Sequence, residues 1–379
     1  MKIVDIKTLV IKLDWLQLMY VKLITDEGIT GIGETYYGRA GIHAMEGGDI
    51  AALKHFLIDE NPYDVARLFQ KMRGRYGAGQ FPFWASIHAI SGVEMALWDI
   101  IGKSLNVPIY QLLGGKFRKE ILVYCDFGGG KSLEEYLEKI RLARKSGWTF
   151  IKFDVPLHNV ENAFSGEVKK SEVHQIVNIV GSICENVGNH IKVAFDCHGY
   201  FNISSIKEVL RSIEKYEIAW LEDPIQPENP EALLKVTRMS KVPIAFGEGL
   251  STAYAFRRYL ELGAVDVIHP DILHNGGLLE TKRIADMADI YYIPTAFHNV
   301  TSPVATIAAA HLAAAIPNFI ALEHHWPYIS WWDNLVKGIE KPLIDNGFIK
   351  VPDAPGIGVE LNEKEVVKHV VVGDEDFFD

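Results

Sequence analysis

Asp196, Glu222, Glu248, Asp271, His298 and Glu323 recur about every 25 residues along the second half of the chain, each closing a short apolar, β-branched run. Asp196, Glu222 and Glu248 stand on three successive runs. Together they form an all-oxygen donor set of the kind a hard divalent cation such as Mg²⁺ accepts, with positions left over for water and substrate. Without a cation, carboxylates about 4 Å apart would repel by about 4 kcal/mol per pair at an effective dielectric near 20. Any one of these acids could instead cap a following helix, but three in register favour the metal. Asp271 and His298 supply the second chemistry, because a carboxylate beside an imidazole fixes its tautomer and raises its basicity, giving a general base near neutral pH. Glu323 could hydrogen-bond the substrate or a developing anion. His198, two residues past Asp196, is expected to share its face and is a candidate general acid. Lys152 and Asp154 stand in the same two-residue relation. They could bind a substrate carboxylate and hydroxyl, or Lys152 could form an ion pair inside the fold.

Such residues act together only if the chain brings them to one place. From Ile121 onward, ILVYCD, TFIKFD, IKVAFD, EIAWLE, VPIAFGE, VDVIHPD, YYIPTAFH and NFIALE alternate with amphipathic or alanine-rich stretches, the pattern of parallel strands with intervening helices. Eight such strands close a barrel whose active site lies at the carboxyl ends of the strands. The fold class is thus α/β: a barrel over residues 121–344 and an α+β cap over 1–120. In the cap, residues 2–13, 17–25 and 29–34 alternate like a short antiparallel meander. Asn61-Pro62 predicts a helix N-cap and first turn, and a second helix is expected over about Ala85 to Ser104. The tail, 345–379, is expected to return to the cap.

The chain carries 49 acidic against 38 basic residues, a formal charge of −11, and no local basic cluster. That argues against nucleic acid or an anionic membrane surface as partner. The first fifteen residues contain Lys2, Asp5, Lys7, Lys12 and Asp14, unlike a secretion signal. The most apolar stretch, 303–322, is broken by His311, Pro317 and Asn318, and reads as a buried helix running into a strand. Cys125, Cys184 and Cys197 have no paired spacing, so free thiols in the cytoplasm are expected.

The segments GVEMALWDIIGKSLNVPIYQLLGGKFR, VAFDCHG, WLEDP, AFGEGL, HPDILHNGG, AFHNVTSPVATIAAAHLAAAIPNFIALE and APGIGVELNE together resemble the enolase superfamily, within it the mandelate racemase-like acid-sugar dehydratases. The resemblance covers nearly the whole chain. It implies an α+β capping domain on a (β/α)₇β barrel, Mg²⁺ on Asp196, Glu222 and Glu248, an Asp271–His298 base dyad, and a homo-oligomer. Racemases of this pattern carry Lys-x-Lys on the second strand, whereas here the second position is Asp154, which removes the opposite-face base. Asp196-Cys197-His198 is similar to the Asp-x-His of aldonate dehydratases, whose histidine protonates a departing hydroxyl. The reaction expected from this resemblance is loss of water from an aldonate such as gluconate, galactonate, xylonate or arabinonate, leaving a 2-keto-3-deoxy acid. The alternatives are racemisation or epimerisation of a 2-hydroxy acid, a barrel glycoside hydrolase using Glu222 and Glu323, or a metal-bound barrel that only binds sugar acids. Specificity is expected from Trp15 to Tyr20 and Tyr37 to Glu46, with Trp326, Trp331 and Trp332 as possible sugar-facing rings or core residues. Gly276-Gly277 could either receive an anion at a helix N-terminus or make a tight turn.

Overall fold

A computed structural model describes residues 1–39, 50, 53–74, 83–157 and 165–379. Strands β1 (Ile3–Leu13), β2 (Leu16–Thr25) and β3 (Thr30–Arg39) pair antiparallel in sequence order. The helix Phe83–Leu105 packs across β3 so closely that a Cβ on Gly33 would sit 1.9 Å from the Gly92 carbonyl oxygen and one on Gly31 2.1 Å from that of Ala96. Only glycine permits that approach. Near the C-terminus, Val370–Gly373 pairs antiparallel with β1.

One cap expectation is corrected. The helix after Pro62 spans Val65–Met72 with Asp64 at its N-cap position. Asn61 accepts a hydrogen bond from the Tyr63 amide at 3.2 Å, which makes a local turn rather than a helix start.

The barrel strands are β4 (Glu120–Asp126), β5 (Phe150–Asp154), β6 (Lys192–Asp196), β7 (Leu221–Glu222), β8 (Ile244–Phe246), β9 (Val267–Ile268), β10 (Thr295–Phe297) and β11 (Phe319–His324). Each lies parallel to the next, and β11 pairs back onto β4, closing an eight-stranded parallel barrel. Inside it, Tyr124, Phe150 and Trp220 face the small Ala194, Ala245, Ala296 and Ala321, so large and small side chains share one layer. The helix Pro303–Ala314 is buried on every face, which its alanine content permits. Among the described residues no helix is long and apolar enough to cross a membrane.

Two buried acids tie cap to barrel. Glu34 on β3 accepts hydrogen bonds from the Ser302 and Ala305 amides at 2.7 and 3.0 Å, at the start of helix Pro303–Ala314. Glu94, from the cap helix, accepts from the Leu278 and Leu279 amides at 2.7 and 3.0 Å, filling the N-terminus of helix Leu278–Ile290. Of the two readings of Gly276-Gly277, the turn leads into a helix N-terminus that the protein's own Glu94 carboxyl fills, where the helix dipole favours negative charge.

Burial pushes each of these two carboxyls up to about 7. A carboxyl raised above its unfolded value binds its proton more tightly in the folded state, so its contribution is largest below the ordinary value near 4.5 and is lost as pH rises toward 7. Glu94→Gln should therefore flatten the fall in stability between pH 5 and 8. Thermal midpoints of wild type and variant at both pH values check this, and parallel pH dependences would refute it.

Candidate active site

The residues singled out by their spacing converge at the carboxyl ends of the barrel strands. Asp196 and Glu222 end β6 and β7, and Glu248 lies two residues past β8. Each of the three offers an oxygen within 4.8 Å of the other two. Asp196 and Glu222 are buried and Glu248 is partly open. Burial drives the Glu248 carboxyl up to about 8, with Asp196 and Glu222 adding to the shift and His298 opposing it. Three converging oxygen donors, one of them pushed this far up, fit a divalent cation.

Lys152 enters the cluster from β5. Its Nζ lies 3.1 Å from Glu222 Oε1, 3.2 Å from Glu323 Oε1, 3.3 Å from Asp196 Oδ2 and 3.5 Å from Asp126 Oδ2, and the side chain is 1% exposed. Burial works against its charge, but Glu222, Glu323 and the other neighbours hold the ammonium well above its ordinary range. Of the two roles open to it in the sequence, the structure displays the interior ion pair. Glu323, 1% exposed, is no surface carboxylate: it also accepts from Tyr124 Oη at 3.0 Å. The two carboxylates of the hydrolase alternative, Glu222 and Glu323, thus share one ammonium.

Asp271 follows β9 and caps the short helix Ile272–Asn275, its Oδ1 accepting from the Leu273 amide at 2.7 Å. Its Oδ2 lies 2.6 Å from His298 Nδ1 and accepts from Tyr36 Oη at 2.8 Å. Burial opposes ionisation, but His274 and His298 bring Asp271 down to about 2. The other imidazole nitrogen, Nε2, stands 3.4 Å from Glu248 Oε2. Burial alone would lower His298, yet Glu248, Glu323 and Asp271 hold it well above the ordinary imidazole value. A cation on Glu248 would offset the largest of those influences.

His198 lies beyond the end of β6 with φ 49°, so the alternation of side chains along a strand does not place it. Its position is set by its own amide, which donates to Asp196 Oδ1 at 2.8 Å. Its Nδ1 is then 3.4 Å from Asp196 Oδ1 and 4.0 Å from Asp154 Oδ1. Burial opposes its charge, but Asp196 and then Asp154 raise it. Asp154, at the rim, is pushed up to about 6 by burial and by Asp126, with His198 opposing. One imidazole therefore stands at each end of the carboxylate row: His298 by Glu248, His198 by Asp196.

The tryptophans after the last strand divide. Trp326 and Trp332 are buried and donate their indole N–H groups to the Thr301 carbonyl at 3.1 and 3.0 Å, so they are core residues rather than sugar-facing surfaces. Trp331 stacks on His369, with ring centroids 3.6 Å apart. Residues 16–20 lie in β2, where Tyr20 is buried with its hydroxyl 3.0 Å from Ser302 Oγ, which leaves Trp15 in the β1–β2 turn as the exposed ring. Of the second expected specificity loop, residues 40–46 lie outside the described residues.

Several site residues escaped the sequence reading. Tyr36 reaches the dyad from the cap, with no spacing signal. Asp126 also ends a strand, and His325 follows Glu323 by two as His198 follows Asp196, so both carried the same signal as their neighbours. His269, buried in the barrel mouth, lies 2.8 Å from Tyr124 Oη and 3.5 Å from Glu222 Oε1. A cavity of about 920 Å³ opens at the opposite end of the barrel, by Phe150, Lys192 and Val267, away from this chemistry.

Residues 7–114 match the mandelate racemase/muconate lactonizing enzyme N-terminal domain and residues 135–365 the enolase C-terminal domain-like family. The chain is 40% identical to a D-xylonate dehydratase of Haloferax volcanii, covering 98% of this chain and 90% of that protein. A mandelate racemase/muconate lactonizing enzyme-like protein from Rubrobacter xylanophilus superposes with TM-score 0.91 at 36% identity, covering 98% of both chains. An enolase superfamily member from Salmonella Typhimurium superposes with TM-score 0.89 at 30% identity, covering 99% of this chain and 100% of that one.

Proposed function

The chain belongs to the enolase superfamily, in its mandelate racemase/muconate lactonizing enzyme branch, and on that premise we propose that it is an Mg²⁺-dependent aldonate dehydratase. Its class is hydro-lyase, and it acts on a small molecule. A C5 aldonate is the first candidate substrate, because the 40% identical relative is named for D-xylonate. Free Cys125, Cys184 and Cys197 suit a reducing cytoplasm. A homo-oligomer follows from the family reading.

The observation that carries this reading is the pair of imidazoles flanking the carboxylate row, with Asp154 where a racemase of this pattern has its second base. Asp196, Glu222 and Glu248 would hold the cation, which supplies positive charge for the substrate carboxylate and 2-hydroxyl. Asp271 and Tyr36 lock His298 with Nδ1 engaged, so Nε2 is the atom that takes the C2 proton. The electron pair of that C–H bond forms the C2–C3 double bond as the C3–O bond breaks. His198, beside Asp196 and Asp154, gives a proton to the departing hydroxyl, which leaves as water. The resulting enol becomes the 2-keto-3-deoxy acid. Glu323, held ionised by Lys152 and accepting from Tyr124, would accept a hydrogen bond from a substrate hydroxyl.

A panel of C5 and C6 aldonates with Mg²⁺, read as 2-keto acid formation, tests the proposal. At least one should be dehydrated, with activity lost on EDTA and restored by Mg²⁺. Racemisation without keto acid, or turnover indifferent to EDTA, would sink it.

A further inference from the structure

A second aspartate–histidine pair stands at this mouth, outside the mechanism above. Asp126 ends β4, and His325 follows β11, the strand that closes the barrel against β4. Asp126 is 5% exposed, and its Oδ1 accepts from the Gly128 amide at 2.7 Å. Its Oδ2 faces His325 Nδ1 at 3.6 Å. That nitrogen is sealed from solvent and has no hydrogen-bond partner among the described residues, while the His325 side chain as a whole is 19% exposed. The open edge of the ring is therefore the one away from Asp126, whose carboxylate faces the buried edge across 3.6 Å, longer than the 2.6 Å between Asp271 and His298.

The surroundings select what that edge could meet. Trp15, from the β1–β2 turn of the cap, meets His325 edge-on with ring centroids 5.7 Å apart, and Trp326 packs against its other side at 5.0 Å. Tyr328, on the same loop, donates to Asp14 Oδ2 at 3.4 Å, joining the loop to the cap turn. Asp126, Glu323 and His325 bring donor atoms within 4.8 Å of one another, yet Lys152 Nζ already lies 3.2 Å from Glu323 Oε1 and 3.5 Å from Asp126 Oδ2. An ammonium in place leaves no demand for a second cation. A neutral hydroxyl beside an exposed indole face fits the corner. Lys152 Nζ is also 3.3 Å from Asp196 Oδ2, so Asp126 and the His325 beside it stand within a few carbons' length of the metal-ligand row.

We infer that His325, facing Asp126 on its buried edge and walled by Trp15, hydrogen-bonds a hydroxyl beyond C3 of the sugar acid and so determines specificity for the length and configuration of its distal end. This rests on the aldonate reading. The test compares kcat/KM of the Mg²⁺-loaded enzyme for the aldonate it turns over with that for 2,3-dihydroxypropanoate, which has the carboxylate and both reacting hydroxyls but nothing beyond C3. His325→Asn should cut the preference for the longer acid by roughly 10- to 100-fold, the range expected for loss of one hydrogen bond to a substrate hydroxyl. Asp126→Asn should cut it in the same direction by less. Unchanged thermal midpoints show that both variants fold, and either one suffices for the comparison. An equal loss on both substrates, or no loss on the longer one, overturns the inference alone. Failure of the wild type to dehydrate any aldonate would overturn the underlying reading, and this assignment with it.

Discussion

Replacing His298 by Asn should lower kcat roughly 10⁴-fold, the upper end for removal of a positioned proton acceptor. The size of the effect follows from what surrounds the ring. Among the described residues His274 is the nearest other imidazole, 5.8 Å away centroid to centroid, but burial lowers it to about 4 and its Nδ1 is engaged with the Glu248 carbonyl at 2.8 Å. It cannot take over at neutral pH. Asparagine keeps a polar group facing Asp271 Oδ2 and leaves Asp196, Glu222 and Glu248 in place, so aldonate and Mg²⁺ should still bind. The measurement is solvent deuterium exchange at C2 alongside keto acid formation, with ligand affinity by calorimetry. Exchange persisting at the wild-type rate would remove His298 as the base, and loss of binding in step with loss of rate would make it a binding residue.

Lys152→Met should cost about 3–5 kcal/mol of stability, the penalty for leaving buried charge without its partner. Four carboxylates, Asp126, Asp196, Glu222 and Glu323, lie within 3.5 Å of that one ammonium. Methionine keeps the chain as far as Cε but removes the charge, which restores the mutual repulsion. A divalent cation would return part of the missing charge, so Mg²⁺ should raise the thermal midpoint of the variant more than that of the wild type. Equal midpoints for the two proteins in EDTA would mean that the carboxylates relax apart and do not need the lysine.

Much of the architecture was legible because it is periodic. Parallel strands buried on both faces read as short apolar runs, and the helices between them read as amphipathic stretches, so the closed barrel followed from the alternation. The residue ending each run was legible for the same reason: Asp196 and Glu222 end their strands, and Asp271 and His298 fall just past theirs, within 2.6 Å of each other. Local spacing failed where the backbone leaves the strand. His198 reaches Asp196 through a left-handed residue and an amide hydrogen bond, and Asn61 closes a turn where a helix start was expected.

By itself, then, the sequence determined the barrel, its antiparallel cap and the six recurring residues at the strand ends, because each depends on patterns within about thirty residues. Only the tertiary structure decided that four carboxylates share the one Lys152 ammonium, that Tyr36 shares Asp271 with His298, and that Glu34 and Glu94 fill barrel-helix N-termini. Those contacts join residues up to 271 positions apart. A buried charge takes whichever partner packing brings within about 3 Å, and no local pattern in the chain records which one that is.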